Sequence, residues 1–210
     1  MIRPTLQLEL EARQLDGITQ VAGLDEAGRG ALAGPVVAAA VILPLHDAEQ
    51  LKLLAGANDS KQLTARQRET LFDLIIAHAL AYGIGSASNS HIDSHGIISG
   101  TKLAMQRALE QLTTSPDYLL IDGRIRLNQV NIPQKSIIRG DSKSLSIAAA
   151  SILAKVSRDR AMVGLDGEFP AYGFAQHKGY GTARHLAALT SHGPCACHRH
   201  SFAPIRQPLL

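Results

Sequence analysis

Short apolar runs and segments of helical periodicity alternate along this chain. Apolar residues at 18–24 and at 34–43 predict two strands near the start, because each run is bounded by glycine or polar residues. Three further runs, at 82–88, 118–121 and 136–140, predict three more strands. This alternation of strands and helices, with no internal repeat, predicts a mixed α/β domain.

Apolar positions spaced three and four residues apart predict three helices. The first follows a capping-box pattern at 64–67 and contains His78, which we expect to be packed or half-exposed rather than catalytic. The second spans 102–112. The third runs from 142 to about 160 with a regular apolar stripe, which places Asp141 at its N-cap.

Composition favours one soluble domain with a large core. The chain has 210 residues, of which 45% are hydrophobic. No window approaches the roughly 18 apolar residues of a membrane span, and the first residues lack the apolar segment of a signal peptide. The two cysteines, Cys195 and Cys197, lie too close in sequence for an ordinary structural disulfide. We therefore expect a cytoplasmic protein.

Charge is distributed unevenly between the two parts of the chain. Residues 1–123 contain 9 lysines and arginines against 14 aspartates and glutamates, whereas residues 124–210 contain 12 against 4. The net charges of the two parts are therefore about −5 and +8. An acidic cluster beside a basic surface suits a metal site that acts on a polyanion. A solvated basic face would give the same totals.

Two adjacent carboxylates, Asp25 and Glu26, end the first apolar run, and Gly28, Arg29 and Gly30 follow closely. This spacing predicts a charged loop between the first two strands. Glycines tolerate positive φ and let backbone N–H groups approach a phosphate or a sugar closely. The sequence therefore favours metal-assisted phosphate chemistry here, with a solvated hairpin loop as the alternative.

Further carboxylates follow other strands. Asp122 comes directly after the apolar run at 118–121, at the edge where open α/β sheets usually bind their ligands. If that strand lies parallel to the first, Asp122 and Asp25 converge, and their oxygens suit Mg²⁺ or Mn²⁺. The alternatives are a simple Asp-Gly turn at Asp122 and a helix cap at Asp141. Asp159 is expected to form a structural ion pair or to cap a neighbouring loop.

Six separated blocks of the sequence resemble ribonuclease HII, the type 2 ribonuclease H of bacteria. They occur in the family's order: Gly-Leu-Asp-Glu-Ala-Gly-Arg-Gly-Ala-Leu-Ala-Gly-Pro at 23–35, Asn-Asp-Ser-Lys-Gln-Leu at 58–63, Ile-Asp-Gly at 121–123, Gly-Asp-Ser at 140–142, Ala-Ala-Ala-Ser-Ile-Leu-Ala-Lys-Val-Ser-Arg-Asp at 148–159 and Tyr-Gly-Phe-Ala-Gln-His-Lys-Gly-Tyr-Gly-Thr at 172–182. The resemblance implies a ribonuclease H-like fold, a central mixed sheet flanked by helices, with a C-terminal helical portion. It places this catalytic domain at 18–210, after an extension at 1–17 that could be a strand, a helix or a disordered arm.

The resemblance also implies an activity. Such enzymes cleave the RNA strand of RNA–DNA hybrids and incise duplex DNA 5′ to a single embedded ribonucleotide, leaving 5′-phosphate and 3′-hydroxyl ends. The implied cofactor is a pair of Mn²⁺ or Mg²⁺ ions, and the implied partner is a hybrid or a ribonucleotide-containing duplex, bound by a monomer. The alternative is a catalytically inactive nucleic-acid-binding module of the same fold. Concentrated carboxylates argue against it, because they would repel phosphate.

The family's functional residues match positions in this sequence. The matched metal-binding carboxylates are the four that the strand ends indicate: Asp25, Glu26, Asp122 and Asp141. The matched loop that contacts the ribose 2′-hydroxyl and the adjacent backbone is Gly28, Arg29 and Gly30. Tyr180 matches a tyrosine that packs on the sugar at the DNA junction, whereas its sequence context alone would indicate a core or rim aromatic.

Several basic residues are candidate phosphate contacts. They are Lys61, Lys143, Lys178, Arg184 and His177. A surface lysine is usually only solvated, so that alternative stays open for each of them.

The tail carries thiol and imidazole groups, which are good zinc ligands. They belong to Cys195, Cys197, His198 and His200. One residue separates the two thiols, whereas structural zinc sites usually space them by about two to four residues. The spacing therefore argues against a metal site in this segment.

Overall fold

The computed structural model describes residues 4–57, 60 and 63–206. Its centre is a sheet of five strands: β1 Val21–Ala27, β2 Val36–Ile42, β3 Ala81–Ala87, β4 Tyr118–Asp122 and β5 Gln134–Ile137. The strand order is β3-β2-β1-β4-β5. β1, β4 and β5 are parallel, whereas β2 is antiparallel to both of its neighbours. The predicted mixed sheet is confirmed.

Seven helices are described around this sheet. They are α1 Gln7–Ala12, α2 Ala48–Leu54, α3 Ala65–His78, α4 Asn89–Glu110, α5 Leu145–Glu168, α6 Phe174–His177 and α7 Ala183–His192. The capping box at the start of α3 is confirmed, since Thr64 accepts from the backbone of Gln67 and the Gln67 side chain bonds back. His78 ends α3 half-buried, as predicted.

The two faces of the sheet carry separate apolar cores. α4 packs on one face through residues such as Ala104 and Met105. α3 and α5 pack on the other face. Contact between β1 and α5 is so close that a Cβ on Gly23 would lie 2.3 Å from the Ser146 backbone carbon. The glycine therefore sets the distance between the strand and the helix that frame the site.

The N-terminal segment folds against the rest of the molecule as a short helix. Glu9 of α1 is fully buried, and its carboxylate accepts hydrogen bonds from the hydroxyls of Ser144 and Ser146 and from the Ser146 backbone. These donors lie at the beginning of α5, where backbone N–H groups lack helical partners. α1 thus stabilises the start of the longest helix.

The C-terminal portion is helical, as expected, and closes over the connection between β1 and β2. Phe174, Tyr172 and Leu189 pack with Leu32 and Met162 in a third apolar cluster. None of the helices in the described residues has the length and apolar character needed to cross a membrane.

Several predicted boundaries are wrong. β5 spans Gln134–Ile137 rather than 136–140, and α5 continues to Glu168 rather than ending near 160. β1 extends to Ala27, paired with Val37, so Asp25 and Glu26 lie within the strand rather than on a loop. Asp141 is not an N-cap, because it lies in a 3₁₀ turn and Ser144 caps α5. The 102–112 helix is only the second half of α4, which bends at Gly96, where φ is 81°.

Candidate active site

Carboxylates from two neighbouring strands meet at one edge of the sheet. β1 and β4 run parallel with Leu24 beside Ile121, so Asp25 and Asp122 follow side by side. A pocket of about 520 Å³ opens there, lined by Asp25, Glu26, Ala27, Gly28, Arg29, Gly30, Ser60, Asp122, Ser151, Lys155 and Tyr180. The predicted convergence of Asp25 and Asp122 at one edge is therefore confirmed, with Glu26 lining the same pocket.

Burial and neighbouring charge both act on Asp25. Its side chain is buried, and the loss of hydration raises its pKa well above the ordinary value of 3.8. The negative charges of Glu26 and Asp122 raise this pKa further. Hydrogen bonds from the Glu26 backbone, at 2.7 Å, and from Ser151 only partly oppose these effects. Such a carboxyl is stabilised in its charged form by a bound cation.

Asp122 and Asp141 are connected through one turn. The backbone N–H of Gly140 donates to Asp122 Oδ1 at 2.6 Å. Asp141 follows Gly140 and is itself buried. It lies outside the lining that the structure describes for this pocket, although it belongs to the turn that orients Asp122.

The loop after β1 carries the glycine-flanked arginine. Arg29 forms an ion pair with Glu26, with 3.1 Å between the nitrogen and the oxygen. Gly28 has a φ of 95°, and a Cβ there would lie 1.8 Å from Arg158 Nε. Gly30 has no positive φ, and no atom lies within 4 Å of where its Cβ would be. The two glycines therefore differ: Gly28 is required by the fold, whereas Gly30 faces open space.

Two buried arginines donate hydrogen bonds to the backbone carbonyls of this loop and of the segment after it. Arg158 donates to the carbonyls of Pro35, Ala33 and Lys178 at 2.9 to 3.1 Å. Arg199 donates to the carbonyls of Gly34 and Arg29 at 3.0 and 2.9 Å. Charge-assisted bonds from a rigid guanidinium fix several carbonyls at once, so the pair holds the loop in one conformation.

Sequence reasoning missed these arginines and three polar residues of the pocket. Arg158 lies four residues along α5 from buried Ala154 and Met162 and seven residues from buried Ser151. This spacing is a weak sequence signal that Arg158 is buried. Arg199 gives no such periodic signal. The missed pocket residues are Ser60, Ser151 and Lys155.

Tyr180 forms one wall of the pocket and is 36% exposed. The guanidinium carbon of Arg158 lies 5.3 Å from the centre of its ring, and Lys155 Nζ lies 5.8 Å away. These cations fix the ring while leaving part of it open to the pocket. Lys155 also pairs with Asp159 at 2.7 Å, so the ion pair expected of Asp159 is confirmed.

The other predicted phosphate contacts lie away from the described pocket lining. Lys178 bonds to the carbonyl of Ala175, and Arg184 bonds to Gln176. Both ring nitrogens of buried His177 have backbone partners, Tyr172 and Gly179. Lys143 is exposed beside the turn that carries Asp141, and Lys61 lies outside the described residues.

The mixed sheet and the carboxylates gathered in one pocket are consistent with an endonuclease of the ribonuclease H class, and the comparisons show that this chain belongs to that class. The comparisons agree: residues 22–205 match the family model described as Ribonuclease HII. The curated Ribonuclease HII of Geobacter metallireducens is 56% identical over 91% of this chain and 87% of its own. That of Geotalea uraniireducens is 53% identical over 98% and 92%.

A solved structure shares the fold over nearly the whole chain. The ribonuclease H2 from Pyrococcus horikoshii OT3 superposes with a TM-score of 0.74 and 26% identity, covering 90% of this chain and 96% of its own. The chain belongs to the ribonuclease HII family. Enzymes of this family depend on divalent metal ions and act on RNA–DNA hybrids, and nothing found favours the catalytically inactive alternative.

Proposed function

We propose that this chain cleaves the RNA strand of RNA–DNA hybrids and incises duplex DNA 5′ to single ribonucleotides, leaving 5′-phosphate and 3′-hydroxyl ends. The observation that carries the proposal is the meeting of Asp25, Glu26 and Asp122 in one pocket beside the loop at 28–30. Carboxylates and a loop of close-approach glycines are the two parts that such a reaction needs.

The carboxylates fit a hard divalent cation. Asp25 is buried beside two other negative groups, and oxygen donors suit Mg²⁺ and Mn²⁺ alike. We assign Asp25, Glu26 and Asp122 as ligands, with Asp141 holding an ion or its waters from the adjacent turn. When bound, two such ions would activate a water molecule and stabilise the leaving 3′-oxygen. Asp25 and Asp141 are the most buried of the four, and Asp25 would hold such an ion between Glu26 and Asp122, the two groups whose charges act on it.

Selection of a ribonucleotide requires contact with its 2′-hydroxyl. The backbone around Gly28, Arg29 and Gly30 supplies donors, and the open space at Gly30 lets a sugar approach. Tyr180 offers a ring face for the sugar at the DNA junction. Lys155 lies in the same pocket and supplies a cation for the neighbouring phosphate. Lys143, Lys178 and Arg184 would contact phosphates farther along the duplex.

The proposal also covers the oligomeric state of the protein and its location in the cell. We propose a monomer as the active form, because the assigned carboxylates, the loop at 28–30 and Tyr180 together make up the site that the reaction needs, with no residue required from a second copy. Both cysteines are free thiols, which supports a reducing, cytoplasmic location. Light scattering of the protein bound to a duplex tests the first point, with one chain per duplex as the expected mass.

The experiment for the function uses a labelled DNA duplex with one ribonucleotide and the same duplex made only of deoxynucleotides. We expect incision 5′ to the ribonucleotide, with a 3′-hydroxyl that a polymerase extends directly, and an intact all-DNA duplex. Incision of both duplexes, or at another phosphate, would contradict the proposal.

A further inference from the structure

Three potential metal ligands converge in the C-terminal tail, outside the lining of the carboxylate pocket. Cys195 Sγ lies 3.3 Å from Cys197 Sγ and 3.1 Å from His198 Nδ1. All three ligand atoms lie within 4.8 Å of one another. In the part of the chain that the structure describes, this is the only group of three or more such residues gathered so closely.

The hydrogen bonds around His198 fix which of its nitrogens carries a proton. The carbonyl of Tyr180 can only accept, so His185 Nδ1, at 3.0 Å, carries hydrogen towards it. The other nitrogen of neutral His185 must then accept from His198 Nε2, at 3.0 Å. His198 Nδ1 is left unprotonated, in agreement with the donation it receives from the Cys195 backbone at 2.9 Å. The single lone pair of this nitrogen accepts from that backbone N–H, and Cys195 Sγ lies 3.1 Å from the same nitrogen, so a metal ion bound between them would take over the lone pair.

We propose that Cys195, Cys197 and His198 bind one Zn²⁺ ion, with a water molecule as the fourth ligand. Two thiolates and one neutral imidazole are a typical zinc donor set. Binding releases both thiol protons to solvent and replaces the hydrogen bond from the Cys195 backbone. His185 then fixes the tautomer and direction of the ligating ring, as an outer hydrogen-bond partner does in zinc sites.

The distances require only a small adjustment. Zn–S bonds of about 2.3 Å in tetrahedral geometry put two sulfurs about 3.8 Å apart. The observed separation of 3.3 Å must therefore widen slightly. Cys195 is half-exposed, whereas Cys197 and His198 are buried, so the ion enters from the Cys195 side, where water completes the coordination.

Such an ion would fasten the tail to the catalytic loop. The Cys197 carbonyl accepts from the Gly34 backbone at 2.9 Å, and the Arg199 backbone donates to Leu32 at 2.8 Å. Arg199 in turn donates to the carbonyl of Arg29. A metal ion held by His198, the residue before Arg199, would therefore stabilise the arginine that supports the pocket without contacting substrate.

Cobalt substitution provides a direct test. The chain contains only two cysteines, so any thiolate-to-cobalt charge-transfer band in the near ultraviolet must come from this pair. We expect about one equivalent of Co²⁺ to give this band together with the intense visible bands of tetrahedral coordination, and Zn²⁺ to displace it. Cobalt at the carboxylate pocket has oxygen ligands and gives no such band.

Two variants sharpen the test. Cys195→Ala changes a half-exposed residue, so the fold is retained, and it should abolish the charge-transfer band and weaken zinc binding at least tenfold in competition with a chromophoric chelator. His200→Ala, at an exposed neighbouring imidazole, should leave both unchanged. Because wild-type binding is measured without any variant, a folding defect cannot obscure the result.

Several results would overturn the proposal. One is a cobalt spectrum without the charge-transfer band in fully reduced protein. Another is equal zinc affinity in wild type and Cys195→Ala. A third is a Cys195–Cys197 disulfide, found by thiol titration and mass spectrometry, in protein that retains no zinc after aerobic purification but has folded normally. None of these results bears on cleavage at the carboxylate pocket.

Discussion

At the scale of single residues, Asp25 combines a functional role with a cost to the fold. Its burial beside Glu26 and Asp122 disfavours the charged form that a metal ion requires. We expect Asp25→Asn to raise the free energy of unfolding of the metal-free protein at neutral pH, because the amide removes a desolvated charge. Cleavage should fall by more than about 100-fold, since loss of an outer-shell partner alone costs about 10- to 100-fold.

Denaturant unfolding in chelator and cleavage in Mn²⁺ measure the two effects. Asp73→Asn is the matched control, because Asp73 is exposed on α3, and it should change neither quantity. A metal-free Asp25→Asn variant less stable than wild type would show that the carboxyl is stabilised in some other way.

The same residue predicts a pH dependence. The pKa of Asp25 in the folded protein lies above its ordinary value of 3.8. The contribution of this carboxyl to the free energy of unfolding is therefore complete below pH 3.8 and is lost as the pH rises through the pKa of the folded protein. Without metal, Asp25→Asn and wild type should therefore differ little in unfolding free energy in acid and increasingly towards neutral pH. A difference that is constant with pH would contradict this interpretation.

Tyr180 permits a test of substrate packing. Tyr180→Phe keeps the ring that Arg158 and Lys155 flank, and we expect its kcat/KM on a single-ribonucleotide duplex to stay within about threefold of wild type. Tyr180→Ala removes the ring and should lose at least about tenfold, or roughly 1.4 kcal/mol, together with junction preference. If the alanine variant keeps both rate and preference, the ring does not contact the substrate. Thermal unfolding serves as the folding control.

The positions of the carboxylates could be predicted from sequence because each follows a short apolar run, although β1 itself continues past its two charges. Burial of Arg158 has only a weak sequence signal, its helical spacing from Ala154 and Met162, because an arginine next to an aspartate is ordinarily exposed. Only the tertiary arrangement of three carbonyls around its guanidinium makes its burial favourable.

At the scale of elements, the connection from β1 to β2 depends on two glycines with different roles. Gly28→Ala would place a methyl group at φ 95° and against Arg158, so we expect it to lower the unfolding free energy by more than about 2 kcal/mol. Gly30→Ala should change stability by less than about 0.5 kcal/mol, because nothing surrounds that position and its φ is ordinary.

The rate of cleavage distinguishes the Gly28 and Gly30 substitutions further. If the loop approaches the sugar as proposed, Gly30→Ala lowers kcat/KM in a protein of wild-type stability. Guanidinium unfolding curves and single-turnover cleavage give both quantities. Equal destabilisation by the two substitutions would show that the loop is not supported as described.

Element types could be predicted from periodicity, whereas several boundaries could not. β1 continues through two charged residues because β2 pairs with it as far as Ala27, and sequence alone does not show that ladder. The first half of α4 is polar and bends at Gly96, so it lacks the apolar spacing that marks the second half. Ser144 rather than Asp141 caps α5, since Glu9 of α1 fixes the Ser144 hydroxyl.

At the scale of the whole molecule, the two differently charged parts of the chain meet at the pocket. Asp25, Glu26 and Asp122 come from the acidic first part, whereas Lys155 and Tyr180 come from the basic second part. Arg158 and Arg199, also from the second part, hold the loop of the first. The two parts of the chain therefore both contribute residues to the site and to its support.

The most direct test of the central claim is the location of bound metal in crystals of the protein with a ribonucleotide-containing duplex, grown in Mn²⁺ and measured by anomalous diffraction. We predict two manganese peaks about 3.5–4 Å apart, contacting Asp25 and Asp122, on either side of the phosphate 5′ to the ribonucleotide. Manganese bound elsewhere, with Asp25 and Asp122 contacting no ion while the duplex occupies the pocket, would contradict the account.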